Sequence, residues 1–163
     1  MESLLKKIYS APRLYKTLLI LSKIIVVLTV PAFALTVWHG YTVSPISAVK
    51  ICVVCGVPFV IVTAVRRILN SPRPYELYTF YERAPKKKQG CSFPSRHAFS
   101  VFVVGSVMCF AYPILGAAVL ALGIILSVLR VLTGIHFIRD VVTGTLIGVI
   151  SGVVGVIFTS PFV

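Results

Sequence analysis

Apolar residues run almost unbroken through five stretches of the chain: about Leu18 to Trp38, Ala48 to Ala64, His97 to Pro113, Leu115 to Leu129 and Val141 to Phe158. Stretches of this length between polar breaks predict helices that cross a bilayer. Pro31 and Pro58 fall inside the first two and predict kinks there. Trp38 and Lys50 sit where an interfacial ring and a snorkelling amine belong. Ahead of the first stretch, Met1 to Lys16 mixes Leu4, Leu5, Ile8, Tyr9, Leu14 and Tyr15 with Lys6, Lys7, Arg13 and Lys16. That mixture fits a short interfacial helix interrupted at Pro12, or a frayed basic tail. The predicted fold class is therefore all-α: a polytopic membrane bundle of about five transmembrane helices with a short N-terminal interfacial helix. No linker or low-complexity tract divides residues 1–163, so one domain is expected.

The connections then sort by side. With five crossings, the N-terminus, the polar segment Arg66 to Arg96 and the loop between the fourth and fifth stretches share one membrane face. The fifth stretch carries Gly144, Gly148 and Gly152 at four-residue intervals. Such a file lets another helix approach closely, either one from this chain or, in a homodimer, one from a second copy.

Composition supports the membrane reading. The chain is 58% hydrophobic and only 12% charged, where a soluble domain carries about a quarter charged residues. The net charge of +12 would suggest nucleic acid in a soluble protein. Here eight of the sixteen Lys and Arg residues lie in Arg66 to Arg96, between apolar runs and beside headgroups. Membrane lipids and a lipid phosphate are the expected partners, and nucleic acid is not. Cys52 and Cys55 form a C-x-x-C inside an apolar run and read as small apolar side chains, while Cys91 in the polar loop has no evident partner.

Three polar patches carry the chemistry. The first, Arg66-Arg67-Ile-Leu-Asn-Ser-Pro-Arg73-Pro74, supplies guanidiniums, whose permanently charged forks suit phosphoryl oxygens. As a bland alternative, it anchors the second span as a positive flank. The second, Ser92-Phe93-Pro94-Ser95-Arg96-His97, opens a helix, where free N–H groups favour an anion. Ser95 reads as N-cap or phosphate donor, and His97 as proton exchanger or boundary histidine. The third, Arg130 to Asp140, brings His136 and Asp140 together. If both start the fifth helix they share a face at i and i+4, and a carboxylate on one imidazole nitrogen makes the other a nucleophile or base. A salt bridge tying two spans is the alternative.

In this order, R-x6-R-P, P-S-x-H and R-x5-H-x3-D resemble the three-part signature of the type 2 phosphatidic acid phosphatase superfamily, whose active site is similar to that of vanadium-dependent haloperoxidases. The resemblance covers about Arg66 to Asp140. It implies a membrane lipid phosphatase in which Arg66, Arg73, Ser95 and Arg130 bind phosphate, His136 is the nucleophile, Asp140 orients it and His97 is the general acid. No metal and no cofactor is implied, because arginines supply the positive charge.

The chain departs from the family pattern at Arg66, where lysine is usual, at Arg96, where glycine is usual, at Leu129, where serine is common, and in having five spans where six are common. Arg96 retains its backbone N–H and adds a side chain able to contact a second phosphate or narrow the pocket. Phosphatidate, phosphatidylglycerophosphate and polyprenyl (undecaprenyl) diphosphate headgroups all fit. A non-catalytic anionic-lipid-binding protein or small transporter would use the arginines but not the His136–Asp140 pair. The positive-inside rule places the site in the cytoplasm. The resemblance implies the extracytoplasmic face of the cell membrane, and that face is preferred because several of the cations the rule counts belong to the site itself.

Overall fold

The computed structural model describes residues 8–77 and 89–162, and every regular element among them is helical. The helices are α1 (Pro12–Val43), α2 (Pro45–Leu69), the single turn α3 (Pro74–Leu77), α4 (Arg96–Ala111), α5 (Pro113–Leu132) and α6 (Ile138–Thr159). Pro12, Pro45 and Pro113 each occupy the first turn of their helix. Proline has no N–H to leave unpaired there. Pro12 therefore opens α1, and the helical turn at residues 8–10 breaks off just before it, at Ala11. Residues 8–10 form a separate turn beyond Ala11, with Ile8 and Tyr9 packed onto Tyr15 and Tyr75. Residues 1–7 of the expected interfacial helix lie outside the described residues. The α1 and α2 helices continue through Pro31 and Pro58.

Four segments, α1, Pro45–Leu77, α5 and α6, are long and apolar enough to cross a membrane, which makes this a multi-pass membrane protein. The expected third span is the exception. At 16 residues, α4 rises only about 24 Å, short of a hydrocarbon core of about 30 Å. It tolerates this because it does not face lipid: Ala98, Phe99 and every residue from Val101 to Met108 are buried. The other helices surround it and turn Val27, Val30, Val60, Ile124, Ile150 and Ile157 outward. So large an exposed apolar surface needs lipid to cover it.

The seam between α4 and α6 is made by the glycine file. A Cβ at Gly144 would collide with the Ser95 carbonyl; at Gly148 it would lie 2.6 Å from the Phe99 carbonyl oxygen, and at Gly152 2.7 Å from the Ser106 Cβ. These glycines are thus occupied by the chain's own central helix. A homodimer seam through Gly144, Gly148 and Gly152 does not stand, since a second copy cannot reach a face that α4 already fills. Gly148→Ala must push two backbones apart and should cost about 1–3 kcal/mol. Gly56→Ala, with nothing within 4 Å of the new methyl, should be neutral or stabilising by up to about 1 kcal/mol. Thermal unfolding of both variants in detergent checks the contrast.

The ends are sorted as the count of crossings predicts. The Tyr15 hydroxyl donates to the Thr133 carbonyl and Tyr9 to that of Leu132, at 3.3 and 3.4 Å, so the start of α1 and the turn before it sit beside the α5–α6 loop. The Ser95 N–H donates to the Asp140 carbonyl at 2.8 Å, which brings the α4 start to the same end. At the opposite end the His39 ring packs on Tyr112 and Phe162, with centroids 5.0 and 5.7 Å away.

Candidate active site

The first patch is shaped by the way α2 stops. Asn70 takes the left-handed cap conformation (φ 37°), and its N–H closes onto the Arg66 carbonyl. Pro72 then prevents the helix from resuming. Arg66 is left in the last turn and Arg73 in the loop beyond. That loop is pinned to the stretch before α4. Glu76 Oε1 accepts from the N–H groups of Arg73 and Gly90 at 3.2 and 2.8 Å. Asn70 Oδ1 accepts from the Cys91 N–H at 3.2 Å, and the Ser92 N–H donates to the Ser71 carbonyl at 2.9 Å. The Lys86-Lys87-Lys88 run lies outside the described residues.

On this frame the two arginines turn inward. Arg66 Nη1 donates to the Pro94 carbonyl at 3.1 Å and Arg73 Nε to the Gly90 carbonyl at 3.0 Å. Arg130 arrives from the last turn of α5, and its Nε has no hydrogen-bond partner. All three guanidiniums are buried. The side chains of Arg66 and Arg130 both lie within electrostatic reach of Arg73. Among the described residues none of the three pairs with a carboxylate; the ion pairs there join Asp140 to His136 and to the exposed Arg139. Three buried cations without an anion are costly unless an anionic ligand completes them.

Ser95 is fully buried and caps α4, its hydroxyl accepting from the Ala98 N–H at 3.5 Å. His97, in the first turn of the same helix, has an unpartnered buried Nδ1 and lies within electrostatic reach of Arg130, His136, Arg96 and Arg66. The second and third patches therefore converge on the first. Arg96 is partly buried, with its guanidinium 5.6 Å over the Phe59 ring. Its charge still acts on Arg66 and His97.

The third patch differs from expectation in two respects. His136 does not start α6. It lies in the loop, ahead of the cap residue Phe137, while Asp140 sits inside the first turn and accepts the Phe137 N–H at 2.9 Å. The two side chains meet because the loop folds back, not because they share a helical face. Nor is the contact a direct hydrogen bond: His136 Nδ1 is 3.6 Å from Asp140 Oδ2. The Ser92 hydroxyl contacts both, 3.3 Å from Nδ1 and 2.5 Å from Oδ2.

Sequence reasoning passed over Ser92 because nothing in its spacing separates it from Ser71 or Ser95. Its position in the second patch, three residues before Ser95, was the only signal. Glu76 and Asn70, which hold the loop, were likewise visible only as polar residues near a proline.

Burial pushes the His136 imidazole down to about 4; Arg73 and Arg66 reinforce the shift and Asp140 opposes it. The sign is that of a base kept neutral: the proton is taken up only as pH falls through about 4. In ¹⁵N-histidine-labelled protein the His136 ring should stay neutral from pH 8 to pH 5, whereas a free imidazole would charge near pH 6.5. A midpoint near 6.5 would contradict the burial seen here.

Three buried arginines and two histidines thus gather at one end of a helical membrane bundle. The PAP2 superfamily model matches residues 47–162, and the chain belongs to that superfamily. Its structure is similar to the crystal structure of a transmembrane PAP2-type phosphatidylglycerolphosphate phosphatase from Bacillus subtilis. The TM-score is 0.71 at 17% identity, over 98% of this chain and 86% of that one. No curated protein matches the chain.

Proposed function

We propose that the chain is a lipid phosphatase that hydrolyses a phosphomonoester or diphosphate headgroup at the membrane face through a phosphohistidine. The observation that carries this reading is the set of three buried arginines, Arg66, Arg73 and Arg130, none of which pairs with a carboxylate among the described residues and which lie within electrostatic reach of His97 or His136. Membership of the PAP2 superfamily supports it.

Each residue then has a task. The arginines, with Ser95 at the α4 N-terminus, hold the phosphoryl oxygens and the charge that grows on them. His136 attacks phosphorus; a P–N bond forms as the P–O bond to the leaving group breaks. His97 gives its proton to the departing oxygen and takes one back from the water that releases phosphate. The positive charge is supplied by guanidiniums, so turnover is proposed to need no metal. The described residues contain no group of three His, Cys, Asp or Glu side chains spaced to ligate one.

Arg96 favours a headgroup with a second anionic group, of the phosphatidylglycerophosphate or polyprenyl diphosphate type, over phosphatidate. The active site is proposed to face away from the cytoplasm. Purified protein should release phosphate in EDTA, faster from the two lipids that carry a second phosphate group than from phosphatidate. Background-level release from every lipid in such a panel would leave only an anionic-lipid-binding or transport role.

A further inference from the structure

We propose that Ser92 is a positioning residue for the nucleophile: its hydroxyl relays Asp140 to His136 and holds the imidazole in the tautomer that attacks. The inference rests on the phosphohistidine reading for its consequence, but its geometry stands apart from it.

A serine hydroxyl has one proton to give and an ionised carboxylate can only accept. Asp140 Oδ2 already accepts the Phe137 N–H at 2.9 Å, and the Ser92 hydroxyl points at the same oxygen from 2.5 Å. The Ser92 proton is therefore committed to Asp140. Toward His136 Nδ1, 3.3 Å away, the serine oxygen offers only a lone pair. Nδ1 must carry the ring proton, and Nε2 is left with the free electron pair. Asp140 does not impose this alone, because at 3.6 Å it stands beyond hydrogen-bonding distance of the ring.

The relay is also rigid and dry. Ser92, His136 and Asp140 are all buried, and the Ser92 backbone is tied to Ser71 in the loop that carries Arg73. The serine thus sets the ring's tautomer and its angle relative to a phosphate-binding arginine. When the P–N bond forms at Nε2, the ring becomes cationic. The chain Nδ1–H to hydroxyl to carboxylate then shares that charge by strengthening both hydrogen bonds, with no proton changing owner.

The test begins on the wild-type protein. The ¹⁵N spectrum of its three histidines, assigned with His39→Ala and His97→Ala, should show His136 protonated at Nδ1. Finding the proton on Nε2 overturns the proposal whether or not the protein is a phosphatase. Ser92→Ala should then shift His136 toward a tautomer mixture and lower kcat about 10- to 100-fold, as loss of an outer-shell partner does, with KM for the lipid phosphate nearly unchanged. Ser92→Thr, which keeps the hydroxyl, should restore Nδ1 protonation and most of kcat. An unchanged tautomer in Ser92→Ala, or a loss confined to KM, refutes the relay. If the wild-type protein releases no phosphate from any lipid, the proposed function fails while the two spectra still decide the role of Ser92.

Discussion

His136→Ala should abolish phosphate release, lowering kcat by at least about 10⁴-fold, because removing a nucleophile eliminates the covalent route and not merely a contact. The residual rate would reflect oxyanion stabilisation by the arginines alone. Binding of inorganic phosphate should survive, since Arg66, Arg73 and Arg130 come from α2, the following loop and α5 and do not depend on the imidazole. Isothermal titration with phosphate beside a malachite-green assay separates the two effects. If the variant keeps more than a tenth of wild-type turnover, His136 is not the nucleophile.

Arg130→Met should lower kcat/KM by about 10²- to 10³-fold, the effect of deleting one donor to a developing oxyanion. The same change should leave the unfolding temperature equal to or above that of the wild type. Its buried guanidinium has an unpartnered Nε and, among the described residues, no carboxylate, so the folded state bears a desolvation cost that a methionine removes. Arg130→Lys should rescue little activity, since one ammonium cannot present the planar fork that engages two oxygens at once. Loss of stability in Arg130→Met in parallel with activity would mean that Arg130 is a structural strut.

Some of this was legible along the chain for a physical reason. Helical crossings are local: a run of apolar residues between polar breaks specifies a span without reference to anything distant. Arg66, Arg73, His97 and Arg130 were recognisable because charge and imidazole at a bilayer boundary are expensive and rarely idle. The count of crossings placed them on one face, and the hydrogen bonds of Tyr15 and Ser95 agree.

Other features were out of reach. Hydropathy does not separate α4, buried on all sides, from the lipid-facing helices, because the interior of a membrane bundle and the bilayer are equally apolar. The i to i+4 spacing of His136 and Asp140 suggested one helical face, but the helix begins only after Phe137, and a folded loop makes the same pair by another route.

Composition and order alone settled that the chain lies in a membrane, crosses it repeatedly and gathers its cations at one end, since each follows from the transfer energy of single residues. Which partner the Gly144, Gly148 and Gly152 file would take, which hydroxyl would contact both carboxylate and imidazole, and which guanidiniums would be buried together were decided only by packing. Those outcomes depend on distances between residues such as Ser92 and His136, forty-four positions apart, and no local pattern encodes a distance of that kind.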